Sequence, residues 1–207
     1  MEPVNLPYQP LFQAINALSP INAKEWQALL AIAKEEKFQT GTALFHAGDT
    51  LSLVRFVVTG IACHYYIKPD GNRMNKSFLS CSDVASSLSS LHTQTPSRFG
   101  CDALTDVTCL SLHYRHLQTL SASSNAWRTV LERLLVRLAL RKEKREADLL
   151  LLSPTDAYLQ FKEAHPNLDA IIPNYHIAAY LGISEVSLSR IRSRLGLQKP
   201  YRKHPPN

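Results

Sequence analysis

Long apolar runs are missing from this chain of 207 residues: none approaches the roughly 20 needed to cross a bilayer. The first residues, Met1 to Leu11, also lack a basic start followed by an apolar stretch. Neither membrane insertion nor secretion is therefore expected, and the cytoplasm is the expected compartment. Cysteine is scarce and scattered. Cys63, Cys81, Cys101 and Cys109 stand singly, with no C-x-x-C pair, which argues against a zinc knuckle or redox pair and for reduced, structural thiols. The histidines His46, His64, His92, His113 and His116 are equally dispersed. They lack the close His-x-His pair and later glutamate of a cupin-type site, and His113 and His116, three apart, read as packing or surface residues. No Ser/His/Asp arrangement, phosphate-binding glycine loop or paired-carboxylate signature occurs either. The expectation is a protein with no metal, no cofactor and no catalytic centre. A cupin-like metal-dependent enzyme is the alternative of another class, which stoichiometric metal in the purified protein would revive.

Extreme composition is absent too. With 45% apolar and 19% charged residues the chain reads as a packed globule rather than a disordered or fibrous one. At domain sizes of about 100 to 150 residues its length suits two modest domains. The formal net charge of +6 is concentrated near the end: Glu185 to Asn207 carries six cations (Arg190, Arg192, Arg194, Lys199, Arg202, Lys203) and one acid. Such a concentration is the footprint of a polyanion-binding surface.

From about residue 41 to 113 the pattern is one of short β-type runs broken by turn residues. The runs are Ala43 to His46, Leu53 to Thr59, Ile61 to Ile67, Asn75 to Leu79 and Thr108 to His113. Gly48-Asp49 and Asp70-Gly71 supply tight connections, the second as a hairpin. A small helix, Ala23 to Lys34, precedes the strands. After residue 114 the period becomes helical, and a long helix is expected from about Asn125 to Leu149. Trp127, Leu131, Leu134 and Leu138 follow heptad spacing there, widened by Val130 and Leu135. That stripe either packs on the chain's own β domain or forms a dimer seam, with Arg141 and Arg145 weakening the seam beyond it. Leu149 to Leu152 read as a hinge, and Ser153-Pro154 as the start of a further helix reaching Ala164 before His165-Pro166.

Residues 174 to 195 carry the most specific pattern. Two helices crossing through a short turn need a small residue at their closest approach, a glycine in the turn and apolar residues aimed at a shared core. Ala178 is the small residue, Gly182 ends the first helix and Ser184 caps the second; Ile177, Leu181, Ile183, Leu188, Ile191 and Leu195 form the core. On a 100° wheel the pole opposite Leu188 and Ile191 falls near Val186 and Ser193, with Ser189 and Arg190 within about 60° of it. Arg190 suits guanine, Ser189 a base or phosphate, and Val186 a thymine methyl, so Val186, Ser189, Arg190 and Ser193 are the candidate base-reading set. Arg192, Arg194, Lys199 and Arg202 are candidates for phosphate contact. The bland reading is a surface helix pair with solvated arginines.

With these residues the chain resembles the Crp/Fnr family of bacterial regulators over nearly its whole length. The resemblance rests on Gly48-Asp49, Phe56-Val-Val-Thr-Gly60, Asp70-Gly71 and Ala103-Leu-Thr-Asp106 in the β part. More specific are Leu149 to Tyr158, Ile177-Ala-Ala-Tyr-Leu-Gly-Ile-Ser184 and Leu188-Ser-Arg-Ile-Arg192. It implies an α+β fold with a jelly-roll-like β-roll, a long dimerisation helix and a C-terminal helix-turn-helix. The implied divisions are 1–124, 125–152 and 153–207. Only 12 residues follow Leu195, leaving room for at most a truncated wing. Cyclic-nucleotide-binding members hold the ribose with Gly-Glu and the phosphate with Arg-Ser or Arg-Thr. The corresponding stretch here is Ser86-Ser87-Leu88-Ser89 followed by Pro96-Ser97-Arg98-Phe99, so Ser86, Ser87, Ser97 and Arg98 are the candidate effector residues and cyclic AMP is not the expected effector. Clustered N-terminal cysteines of the iron-sulfur members are missing. Many members also read DNA with Glu-x-x-Ser-Arg, where this chain has Val186-Ser-Leu-Ser189-Arg190, which implies a changed target sequence.

The function expected from residues and resemblance is a transcription regulator that binds double-stranded DNA as a homodimer on a near-palindromic site. RNA polymerase is a further candidate partner, and an effector of unknown chemistry, or none, acts on the β-roll. The alternative within the class is a cyclic-nucleotide-dependent regulator with an altered site.

Overall fold

A computed structural model of the chain describes residues 8–197. Two helices lead, α1 (Gln9–Leu18) and α2 (Ala23–Ile32), followed by strands β1 (Lys34–Phe38), β2 (Ala43–Phe45), β3 (Leu53–Thr59), β4 (Ala62–Ile67) and β5 (Arg73–Leu79). A short helix α3 (Leu88–Thr93) precedes β6 (Gly100–Ala103) and β7 (Val107–His113). The remainder is helical: α4 (Tyr114–Ser123), α5 (Asn125–Leu151), α6 (Pro154–Ala164), α7 (Leu168–Ile171), α8 (Asn174–Leu181) and α9 (Glu185–Arg194). Contacts divide the chain into two units, 1–146 and 147–207.

The first unit is a β-roll of two antiparallel sheets, ordered β1-β7-β3 and β2-β6-β4-β5. Phe56, Val107, Cys109 and Leu110 from one sheet and Phe45, Ala62, Leu79, Cys101 and Ala103 from the other belong to one buried core. The sequence expectations find β3 with its own bounds and β2, β4, β5 and β7 with an end shifted by one or two residues. They miss β1, β6 and α1. β1 reads Lys-Glu-Glu-Lys-Phe and has no apolar alternation; it is a strand because it pairs with β7 at a sheet edge, where charged side chains stay in water. β6 is short and opens on Gly100, where a Cβ would lie 2.7 Å from the Tyr65 ring. Gly60, between β3 and β4, has φ 85°, and a Cβ there would meet the Asp106 carbonyl oxygen at 2.1 Å.

Helices close the roll. Asn22 and Glu25 form a reciprocal capping box at the start of α2. Leu11, Ile15, Trp26 and Leu29 from α1 and α2 are buried in the core, with Phe12 edge-on to Trp26 at 5.3 Å. Glu25 also anchors α5: its carboxylate accepts from the Ser124 hydroxyl at 2.6 Å, and its carbonyl accepts from Trp127 Nε1 at 3.3 Å. Further along, Arg137 donates to the Ser82 carbonyl at 3.0 Å and Arg141 pairs with Asp83.

This anchoring engages the start of the Trp127 stripe within its own chain. Trp127 is 0% exposed within its own chain, beside the buried Val130, and Leu131 and Leu134 are half-buried against the same core. Leu138 is half-buried as well. Trp127, Leu131 and Leu134 of the stripe thus pack on the β-roll, one of the two uses its periodicity allowed. On the opposite side of α5 a groove lined by Thr129, Glu132, Arg133, Val136 and Leu140 faces solvent, with Leu140 59% exposed.

Removing the anchor has a large expected cost. Trp127→Ala leaves a void of indole size and should lower the stability of the first unit by about 3–5 kcal/mol, read from its urea unfolding midpoint. A midpoint within error of the parent would show that the stripe does not pack in the core.

Candidate functional site

The second unit is built for a short, steep turn. Ser153 caps α6, accepting from the Asp156 N–H at 3.2 Å, with Pro154 in the first turn. α6 contributes Tyr158 and Phe161 to a small core that Leu168, Ile172, Ile177, Ala178, Leu181, Leu188 and Ile191 complete. Ile183 and Leu195 are half-buried at its margin. Between α8 and α9, Gly182 has φ 72°, and its N–H donates to the Ala178 carbonyl. That left-handed residue lets the chain reverse at once, and Ser184 then starts α9 by accepting from the Ser187 N–H at 3.1 Å. The result is a helix-turn-helix whose second helix has one buried side.

Its other side is open. Val186 is 60% exposed, and Ser189, Arg190 and Ser193 are exposed beside it, so the four candidate base-reading residues share one outward surface. Arg194 is also exposed. Lys199 and Arg202, like the expected truncated wing, lie outside the described residues. An exposed valine on so polar a helix has no partner within its own core, whereas a groove floor offers thymine methyls to such a residue.

Arg192 does not share this surface; its guanidinium is engaged within the unit. Its Nε donates to the Tyr158 hydroxyl at 2.9 Å and another guanidinium nitrogen donates to the Asn174 side-chain oxygen. The guanidinium also lies 5.4 Å from the Tyr158 ring centroid. Tyr158 in turn donates toward Asp169 at 3.4 Å. Arg192 therefore ties α9 to α6 and to the start of α8. Tyr158 and Asn174 were not singled out by sequence reasoning, because they lie 34 and 18 residues from Arg192 and no local pattern links them. Burial raises the Tyr158 hydroxyl pKa against the opposing pull of Arg192, so the hydroxyl remains protonated and able to both donate and accept.

The candidate effector residues are engaged in a similar way. Ser86 donates its hydroxyl to the Leu53 carbonyl at 2.8 Å, and Ser97 donates to the Phe99 carbonyl at 2.8 Å. Ser87 is fully buried and caps α3, accepting from the Ser90 N–H. The Ser86 hydroxyl thus ties its loop to β3, those of Ser87 and Ser97 serve their own segments, and Arg98 is exposed. Among the described residues no group of three or more His, Cys, Asp and Glu side chains is placed to hold a metal, and no helix is long and apolar enough to cross a membrane. All four cysteines are free thiols. Burial pushes Cys63 and Cys109 up to about 12 and Cys101 well above the usual thiol range, so these three are protonated and poor nucleophiles at neutral pH.

Comparison with known proteins agrees with this architecture. The cyclic nucleotide-binding domain family matches residues 35–124. No curated protein matches the chain in sequence. Among solved structures, the c-di-GMP responsive global regulator CLP of Xanthomonas campestris is 18% identical with a TM-score of 0.68, covering 84% of this chain and 92% of its own. FixK2 of Bradyrhizobium japonicum is 19% identical with a TM-score of 0.66, covering 80% and 85%. The catabolite activator protein of Thermus thermophilus is 20% identical with a TM-score of 0.56, covering 95% and 91%. Such identities speak for the fold. Residues 35–124 thus match the cyclic nucleotide-binding domain family, and the chain's fold is similar to those of CLP, FixK2 and the catabolite activator protein.

Proposed function

We propose that this chain is a cytoplasmic transcription regulator that binds double-stranded DNA as a homodimer on a near-palindromic site. The observation that carries the reading is the outward surface of α9. Val186, Ser189, Arg190 and Ser193 stand together on a helix braced by Arg192 and started by a glycine turn. A helix presented in this way fits the major groove, Arg190 donating to guanine O6 and N7 and Val186 resting on a thymine methyl. Arg194, Lys199 and Arg202 add phosphate contacts. Valine in place of an acid at position 186 gives a target unlike one read by Glu-x-x-Ser-Arg.

Two copies join along α5 through the solvent-facing groove that contains Val136 and Leu140, rather than through the Trp127 stripe. Half-site centres then lie about 34 Å apart. The functional divisions are 1–124 for the β-roll, 125–152 for the dimer helix and 153–207 for DNA binding. RNA polymerase is a candidate partner of the bound dimer. Cyclic AMP is not the effector in this reading, since the hydroxyls of Ser86, Ser87 and Ser97 are engaged by backbone groups of the chain itself. A second reading, control by a cyclic nucleotide, draws on the family match of residues 35–124. Calorimetry with cyclic AMP and cyclic GMP separates the two.

Once genome-wide mapping has supplied the target sequence, Arg190→Ala should lower specific affinity by about 1–3 kcal/mol and relax preference at one base pair in a binding assay. Unchanged affinity and preference would remove Arg190 from the reading set. Arg192→Met should instead act on folding, costing about 1–3 kcal/mol of stability in the second unit through two lost side-chain hydrogen bonds. Thermal unfolding measures it, and a loss of DNA affinity without a loss of stability would restore Arg192 to phosphate contact. Leu140→Asp should turn dimer into monomer in sedimentation; a persistent dimer would mean a different seam.

A further inference from the structure

The end of β7 and the start of α4 bring two imidazoles together. His113 is the last residue of β7, paired with Leu53 of β3, and is also the N-cap of α4. His116 is the third residue of that helix. An N-cap and the third helical residue face one another, which is why such positions exchange hydrogen bonds in a capping box. No exchange occurs here: the His113 side chain makes no capping bond. The two rings instead lie 5.7 Å apart between centroids, with 77° between their planes. Their backbones are held in place, since the neighbouring Leu112 and Leu117 are buried in the core and the Tyr114 N–H donates to the Ser52 carbonyl at 2.9 Å. Spacing alone reads this pair as packing or surface residues. The fold adds that one sits on a strand end and the other on a helix start, both fixed.

One nitrogen of the pair has no use within the chain. His116 Nδ1 is buried and, among the described residues, has no hydrogen-bond partner, while His113 is exposed beside it. A sealed ring nitrogen without a partner forfeits the bonds it would make in water, and a cation that takes its lone pair reverses the loss. The ring separation suits such a cation. With metal–nitrogen bonds of about 2.0–2.1 Å, two imidazoles on one ion have centroids about 5–6 Å apart at tetrahedral and wider angles. The 77° between the planes is no obstacle, because each ring can turn about its own metal–nitrogen bond. The positive end of α4 opposes a cation. That partial charge is screened by water around an exposed side chain, whereas a coordinate bond is not.

We infer that His113 and His116 bind one divalent transition-metal ion of the zinc, nickel or copper type, His116 through Nδ1. Imidazole suits these ions, while magnesium and calcium take oxygen ligands. Among the described residues no third His, Cys, Asp or Glu joins the pair, so water fills the remaining positions. The site is therefore open and exchangeable, unlike a closed structural site of four protein ligands. Binding ties the last residue of β7 to the first turn of α4 and stabilises the first unit. The inference stands apart from the α9 reading, since DNA takes no part in it.

Calorimetry on the untagged full chain without DNA tests it, with zinc chloride as the probe. Zinc should bind saturably, and His113→Gln and His116→Gln should each weaken binding by about tenfold or more, at least what the loss of an outer-shell partner costs a metal site. His116→Asn serves the same purpose should the glutamine variant not fold. His46→Gln and His92→Gln, at exposed histidines outside the pair, should leave binding unchanged. Copper(II) bound to the parent should show two imidazole nitrogens by electron paramagnetic resonance, and one in either variant of the pair. No saturable zinc binding, parental affinity in a variant of the pair, or an equal loss in the His46 and His92 variants overturns the inference. So does a single imidazole nitrogen on copper in the parent, which would leave an adventitious ion only. Because no DNA is present, failure of the α9 reading leaves these outcomes unchanged.

Discussion

The rotation of α5 about its own axis is decided by one indole. Trp127 cannot be withdrawn from the core without leaving a void, and its ring nitrogen is tied to the backbone of α2. At 100° per residue, fixing position 127 fixes what every later residue faces. Arg137 and Arg141 meet the Ser82–Asp83 turn, and Val136 and Leu140 are left in solvent. A helix of 27 residues is thereby given two unlike sides, one already occupied and one free.

The second unit is organised around a comparable brace. Arg190 and Arg192 are two positions apart on the same helix, yet one is exposed and the other is spent on Tyr158 and Asn174. The turn at Gly182 sets where α9 starts, and the Arg192 contacts limit how it can tilt against α6. Chemistry aimed at a ligand needs such support, because a reading side chain on a loosely held helix loses its direction.

Much of this was legible from residue order. Short runs with turn residues between them identified a β domain, and the small residue, glycine and serine between 174 and 195 identified two helices and their turn. What stayed hidden depended on partners. The Lys34–Phe38 strand has no apolar alternation to betray it, since pairing with β7 alone makes it a strand. The stripe of Trp127, Leu131, Leu134 and Leu138 was visible as a stripe, but periodicity reports which side of a helix is apolar and not what covers it. Hydroxyls such as those of Ser86 and Ser97 look available in a sequence; whether a backbone carbonyl of the fold has claimed them is a three-dimensional matter.

The charged edge of the roll bears on how copies of the chain can meet. β1 offers unpaired backbone groups along its outer side, but Lys34, Glu35, Glu36 and Lys37 line it closely with charge of both signs. Joining two such strands would require stripping water from several ions for a handful of amide bonds. Growth of the sheet into fibres or stacked aggregates is thereby discouraged at high protein concentration, and pairing between chains is steered from backbone to side chains.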